Sequence, residues 1–265
     1  MGGQGQALHF APANGYPPGA YSAFLKPFAE KHEVVASLHR PLWETPPDIE
    51  SFKSWRVLGD DLGHLVAQLE SPVVSVGHSM GTAAILMAAV QRPELFKSLV
   101  LIEPVLVPRR YLMALKFFGR VAPHKIPLVQ KTLNRVDRFS SRQEAFEHYR
   151  PKSVFADISD AVLWDYVQHG TKEIEPGLFA LSYGRDWEAQ CYKLVHNLWQ
   201  LLPSLEVPTL AIRAQNSSTL SLSSWNRWKA MAANVEFIDI EEAGHLVPFE
   251  QPEALAACIL DWLHS

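Results

Sequence analysis

Five residues, Gly77-His78-Ser79-Met80-Gly81, constrain this chain more than any other segment. They form a G-x-S-x-G pattern between two runs of different character. Upstream, Pro72-Val73-Val74-Ser75-Val76 is a short β-branched run that reads as a strand. Downstream, Thr82 to Val90 is small and apolar and rich in good helix formers. A serine at such a junction must take up a tight, strained turn. Glycine on either side lets the strand and helix backbones approach without a Cβ clash. The N–H groups of the helix N-terminus then face the space above Ser79. In this setting the pattern reads as a nucleophile elbow.

The rest of the chain alternates strands with helices. Ala7 to Phe10 reads as a strand running into a Pro/Gly-rich loop, and Tyr21 to Lys31 as a helix that contains Pro27. Glu33 to Leu38 is the next strand. Ser51 to Glu70 reads as one long helix, with Trp55, Leu58, Leu62, Leu65, Val66 and Leu69 at helical spacing. Ser98 to Ile102 is a continuous apolar strand of the kind that suits a parallel sheet covered on both faces. From about Pro108 to Pro203 the strand signal vanishes, and the segment reads as a helical insertion. The rhythm resumes with strands at Thr209 to Ile212 and Val235 to Ile240, then a helix from Pro252 to Leu263. The length of 265 residues suits a core of residues 1–107 and 204–265 with a cap of residues 108–203.

A serine hydroxyl is a poor nucleophile at neutral pH without a base. Of the 11 histidines, His245 stands out, in the loop Ala243-Gly244-His245-Leu246-Val247-Pro248 after the last strand. The alternative for His245 is an ordinary surface-loop histidine. His78 adjoins the serine, but neighbours along a strand point to opposite sides, so it reads as a packing residue.

Three segments carry a resemblance: NGYP at Asn14 to Pro17, GHSMG at 77–81, and AGHLVPFEQP at 243–252. Together they resemble the α/β-hydrolase superfamily, in its serine esterase and lipase-like form with a lid. The resemblance implies an α/β-hydrolase fold: a mostly parallel central sheet flanked by helices, with an inserted helical cap. Relatives begin with a β-hairpin. Only six residues precede the first strand here, so a shortened sheet of about six parallel strands is expected. The resemblance also implies an oxyanion hole from the backbone N–H groups of Met80 and Tyr16. Many relatives carry His-Gly where this chain has Asn14-Gly15. Tyr149 to Phe155 resembles the lid segment of some lipase-like and toxin-biosynthesis-associated hydrolases.

The triad acid departs from the usual pattern. In most relatives it follows the strand placed at Thr209 to Ile212. The loop here, Arg213-Ala214-Gln215-Asn216-Ser217-Ser218-Thr219, holds no carboxylate, and Ser217 stands where the acid is expected. Glu103, at the end of the preceding core strand, is the substitute, as in certain superfamily members that place the acid there. A glutamate after four apolar strand residues is costly to bury without a partner, which suits pairing with His245. The alternatives are a helix-capping glutamate, a salt bridge to Arg109 or Arg110, or a Ser-His dyad oriented by Asn216 or water. Among the cap aromatics, Trp164, Tyr166, Phe179, Tyr183, Trp187 and Trp199 are equally candidates for an acyl pocket and for cap core.

These features point to a serine hydrolase for carboxylic esters or thioesters, acting on a small-molecule acyl substrate with no cofactor and no metal. Carbon–carbon bond hydrolysis, a lyase or perhydrolase reaction, and a non-catalytic receptor on the same fold are the alternatives. Hydride chemistry is disfavoured by the lack of a G-x-G-x-x-G after a strand. The formal net charge of −4, without a basic run, argues against a nucleic-acid binder. Cys191 and Cys258 have no metal spacing and read as free thiols. No signal peptide and no membrane span are read, so a cytoplasmic enzyme is expected. Monomer and homodimer are both compatible with the sequence.

Overall fold

The computed structural model describes residues 2–69, 72–108, 110–113 and 126–265. Six parallel strands form the central sheet: β1 (Ala7–Ala11), β2 (Glu33–Ala36), β3 (Val73–His78), β4 (Phe96–Ile102), β8 (Thr209–Ala214) and β9 (Val235–Ile240). Their order is β2-β1-β3-β4-β8-β9. This is the six-stranded parallel sheet that the spacing predicted. Gly2 adds an isolated antiparallel bridge to Val34.

Alternation along each strand explains why both faces are covered. Successive side chains of a strand point to opposite faces. Leu99 and Leu101 of β4 enter one core, with α2 (Arg56–Val66), α3 (Met80–Gln91) and Trp225 and Trp228 of α8 (Leu222–Lys229). Val100 and Ile102 enter the other, with Phe24, Leu25 and Phe28 of α1 (Ser22–Ala29) and Leu255 and Ile259 of α9 (Pro252–His264). Burial on both faces is what allows these strands to be apolar without interruption.

The sheet order also places the site. From β1 the chain goes to β2 on one side and returns to β3 on the other. In open α/β sheets such a switch leaves a crevice at the carboxyl ends of the strands. Residues 12–17 leave β1 there, and Ser79 leaves β3 beside them.

Two sequence readings are corrected. The expected Ser51–Glu70 helix is instead a 3-10 turn (Ile49–Ser51) followed by α2. Asp48 caps the turn through the Glu50 N–H, and Ser54 Oγ accepts the Arg56 N–H at 3.2 Å, so local side-chain bonds compete with a continuous helix. Glu70, the expected end, lies outside the described residues. The segment between the neighbouring strands β4 and β8 is not purely helical. It carries α4 (Pro127–Leu133), α5 (Arg142–Tyr149), α6 (Asp160–Gly170) and α7 (Arg185–Lys193). It also carries a three-stranded antiparallel sheet of β5 (Arg138–Phe139), β7 (Leu178–Leu181) and β6 (Thr171–Glu175). The β6–β7 turn is Pro176-Gly177, with Gly177 at φ +72°. Pro-Gly in this arrangement is a turn signal, and it was present in the sequence. No helix among the described residues is long and apolar enough to cross a membrane.

Candidate active site

Ser79 sits at φ 52°, ψ −116°, between β3 and α3. That backbone is costly for a residue with a Cβ, and it is held by the packing around it. The Ser79 N–H donates to Ile102 O at 3.0 Å. Of the two glycines flanking the serine, Gly81 has the closer neighbour: a Cβ there would lie 2.1 Å from Ala11 O. Glycine therefore lets α3 start directly against the end of β1. Met80 is the first residue of α3, where backbone N–H groups have no acceptor within the helix.

His245 follows β9 and reaches Ser79, with Nε2 3.0 Å from Oγ. Its Nδ1 lies 2.9 Å from Glu103 Oε2. A carboxylate only accepts, so Nδ1 carries the proton and Nε2 is free to accept from the serine hydroxyl.

Glu103 leaves β4 at φ +52° and is fully buried. Its N–H donates to Ile212 O at 2.8 Å. Oε1 accepts the Ala214 N–H at 2.7 Å, and Oε2 accepts the Ser217 hydroxyl as well as His245. Ser217, which stands where a carboxylate was expected from the sequence, thus hydrogen-bonds to Glu103 instead. Among the described residues the other readings of this region are not met. Asn216 is exposed and bonds through its N–H to Ala243 O at 2.9 Å. Arg109 lies outside the described residues.

His78 is buried on the other side of the turn. Its Nε2 is 2.8 Å from the His245 carbonyl, so that nitrogen carries the proton. Its Nδ1 then accepts from the Tyr21 hydroxyl at 2.8 Å, and the Tyr21 oxygen accepts the Ala13 N–H at 3.0 Å. Burial, and then the neighbouring His245, push the His78 pKa well down. This relay ties the loop after β1 to the His245 loop through the residue before Ser79. Sequence reasoning assigned His78 to packing and did not foresee the relay.

The loop after β1 turns at Gly15, φ +82°. The Tyr16 N–H points to Ala13 O at 3.3 Å, a long bond. Asn14 Nδ2 donates to the backbone O of Glu188 at 3.1 Å, which fastens α7 onto this loop. A Cβ on Gly15 would lie 2.9 Å from Glu188 Oε2, so the carboxylate is packed directly against the loop. Glu188 is paired with Arg135, and the Tyr192 hydroxyl donates to it at 3.4 Å. Burial raises the Glu188 pKa, and Arg135 opposes that rise. Arg135 and Glu188 were not singled out from sequence, because only the folded chain brings this pair beside residues 14–16. Of the six candidate aromatics, Tyr166 packs on Tyr16 (ring centroids 5.2 Å apart). The others go elsewhere: Trp164 stacks on Phe146, Arg142 lies over Phe179, Tyr183 faces His39, Trp187 faces Phe52, and Trp199 lies under Arg227. Cys191 and Cys258 are free thiols, and burial pushes Cys191 up to about 12.

A strand–serine–helix turn beside a sheet switch, with a histidine from the last loop and a buried carboxylate behind it, defines a class of α/β enzymes. The family model described as "Alpha/beta hydrolase family" matches residues 10–258, and the chain belongs to this family. It is 24% identical over 232 residues to an abhydrolase domain-containing protein, ACTT2, of Alternaria alternata, covering 74% of this chain and 84% of that one. It is 27% identical over 203 residues to the lipase LipV of Mycobacterium tuberculosis, covering 72% of this chain and 69% of that one. Among solved structures, an E-2-(acetamidomethylene)succinate hydrolase superposes with a TM-score of 0.82 at 17% identity, covering 100% of this chain and 93% of the other.

Proposed function

We propose that this protein is a serine hydrolase that cleaves a carboxylic ester, or a thioester, through an acyl-enzyme. The observation that carries the reading is the chain of contacts from Ser79 Oγ to His245 Nε2 (3.0 Å) and from His245 Nδ1 to Glu103 Oε2 (2.9 Å). In the first step His245 takes the hydroxyl proton as Ser79 Oγ bonds to the carbonyl carbon. The oxygen that gains charge is held by the Met80 and Tyr16 N–H groups. The Tyr16 amide gives up its long bond to Ala13 O to do so. His245 then passes its proton to the leaving alcohol or thiol. Water, deprotonated by the same imidazole, releases the acid and restores Ser79. Glu103 holds His245 in the required tautomer and stabilises the imidazolium. Residues 108–203 act as the cap that covers this site.

The receptor alternative drew its support from the missing acid after β8. Glu103 in contact with His245 removes that motive. The lipase among the relatives favours ester chemistry. A fluorophosphonate probe tests the proposal. Labelling is expected at Ser79 and lost in Ser79→Ala. A folded sample that stays unlabelled overturns the reading. Esters of p-nitrophenol with graded acyl length then define the chain preferred.

A further inference from the structure

The cap holds a cationic group whose bonding is incomplete. Arg135 uses one Nη nitrogen for Glu188, yet its Nε is buried with no hydrogen-bond partner among the described residues. An orphaned buried donor is destabilising, so an ion pair that serves packing alone leaves this group unexplained. The tyrosines beside it form a continuous wall toward the site: Tyr149 packs edge-on to Tyr166 at 5.3 Å, and Tyr166 on Tyr16 at 5.2 Å. Tyr16 is the residue whose N–H faces the reacting carbonyl in the proposed reaction. Arg135 is thus joined to the oxyanion loop through Glu188 against Gly15 and through this wall.

The charge around Arg135 is unbalanced. Lys152 Nζ lies over the Tyr149 ring, 4.8 Å from its centroid, and 2.6 Å from His148 Nε2, with no carboxylate partner among the described residues. Burial lowers its pKa, and the charges of Arg135 and Lys131 add to that. Asp137 pairs with Arg185 at 3.4 Å. Glu188 pairs with Arg135, and neither Lys131 nor Lys152 has a carboxylate partner among the described residues.

We propose that Arg135 binds a carboxylate at the far end of the substrate's acyl chain, with Lys131 and Lys152 forming the positive field that draws it in. A guanidinium that keeps free N–H donors beside a buried Nε is suited to a planar carboxylate. This rests on the serine-hydrolase reading and names its substrate class: esters of dicarboxylic acids in which one carboxylate is free. Arg135 is a specificity residue here and takes no part in bond breaking.

The test compares two probes of equal chain length, the mono-p-nitrophenyl ester of adipic acid and p-nitrophenyl hexanoate. The wild-type protein is expected to favour the adipate ester in kcat/KM by about tenfold or more, the effect of one charge-assisted bond pair. Arg135→Gln is expected to bring that ratio down to about one. Rising salt is expected to slow the adipate ester more than the hexanoate ester in the wild type, a measurement that needs no variant. A wild-type ratio of one or less overturns the proposal. So does an Arg135→Gln protein that loses both activities equally, or a ratio indifferent to salt. If hexanoate is cleaved while any of these holds, the hydrolase reading stands and the specificity proposal falls. If neither ester is cleaved, the specificity proposal falls, and Ser79 labelling decides the hydrolase reading separately.

Discussion

A buried carboxylate is tolerable when its lone pairs are engaged, and Glu103 meets that condition with three donors: the Ala214 N–H, the Ser217 hydroxyl and His245. Each donor does different work. The backbone N–H fixes the carboxylate to β8, the hydroxyl supports it from the loop beyond, and the imidazole is the group it orients. Glu103→Gln keeps the shape but presents either an amide oxygen or an NH2 to Nδ1. Turnover on a p-nitrophenyl ester is expected to drop about 10³- to 10⁴-fold while circular dichroism stays unchanged. Ser217→Ala removes one of the three donors and is expected to cost about tenfold in turnover. The reverse ranking, with Ser217→Ala severe and Glu103→Gln mild, overturns the assignment of the acid. Of this arrangement Ser79 and His245 were legible as motifs. Glu103 was legible as an expensive residue to bury, but the role of Ser217 was not, because a serine in a loop carries no local signal.

At the scale of elements, the junction of β1, β3 and α3 depends on backbone contact. A Cβ at position 81 would meet Ala11 O at 2.1 Å and Ala11 C at 2.5 Å. These neighbours are main chain and cannot swing aside, so β1 must shift, and the loop carrying Asn14 to Tyr16 shifts with it. Gly81→Ala is expected to destabilise the fold by about 1–3 kcal/mol, seen as a urea midpoint lowered by about 1 M. An unchanged midpoint would contradict the close approach. The cap teaches the opposite lesson about legibility. Its strands are short, and Lys172, Glu173, Ile174 and Glu175 of β6 are all exposed. A two-residue β5 and an exposed β6 offer no buried periodicity to read, and the Pro176-Gly177 turn was their one sequence sign. The Ser51–Glu70 segment erred the other way. Its apolar spacing persists across a break that local side-chain bonds create.

Across the whole molecule, three buried histidines tie stability to pH. His9 bridges two hydroxyls, Ser75 and Ser37, each at 2.7 Å, and burial lowers its pKa from 6.5 to about 3. Burial also lowers His39 and His78. Each folded pKa lies below its unfolded value, so the unfolded chain binds protons that the folded chain refuses. Stability from these groups is full above about pH 6.5 and falls as the pH drops toward 3. His9 alone contributes a slope of about 1.4 kcal/mol per pH unit in that window. Urea unfolding of the wild type between about pH 4 and 6 is expected to show a steeper fall than His9→Gln. Equal slopes would mean that His9 is already charged in the folded protein.

The sequence by itself determined the strand–Ser79–helix turn, the order of strands and helices in the core, and the loop that carries His245. These are local: each is written in a few consecutive residues whose backbone preferences or apolar spacing act at short range. Only the tertiary structure decided what stands behind His245 and what packs on the loop of residues 12–17. Glu103 meets His245 across 142 positions and Ser217 across 114, and Asn14 meets Glu188 across 174. Such pairs are chosen by which strands lie side by side and by how the cap packs onto them, and no single segment of the chain carries that information.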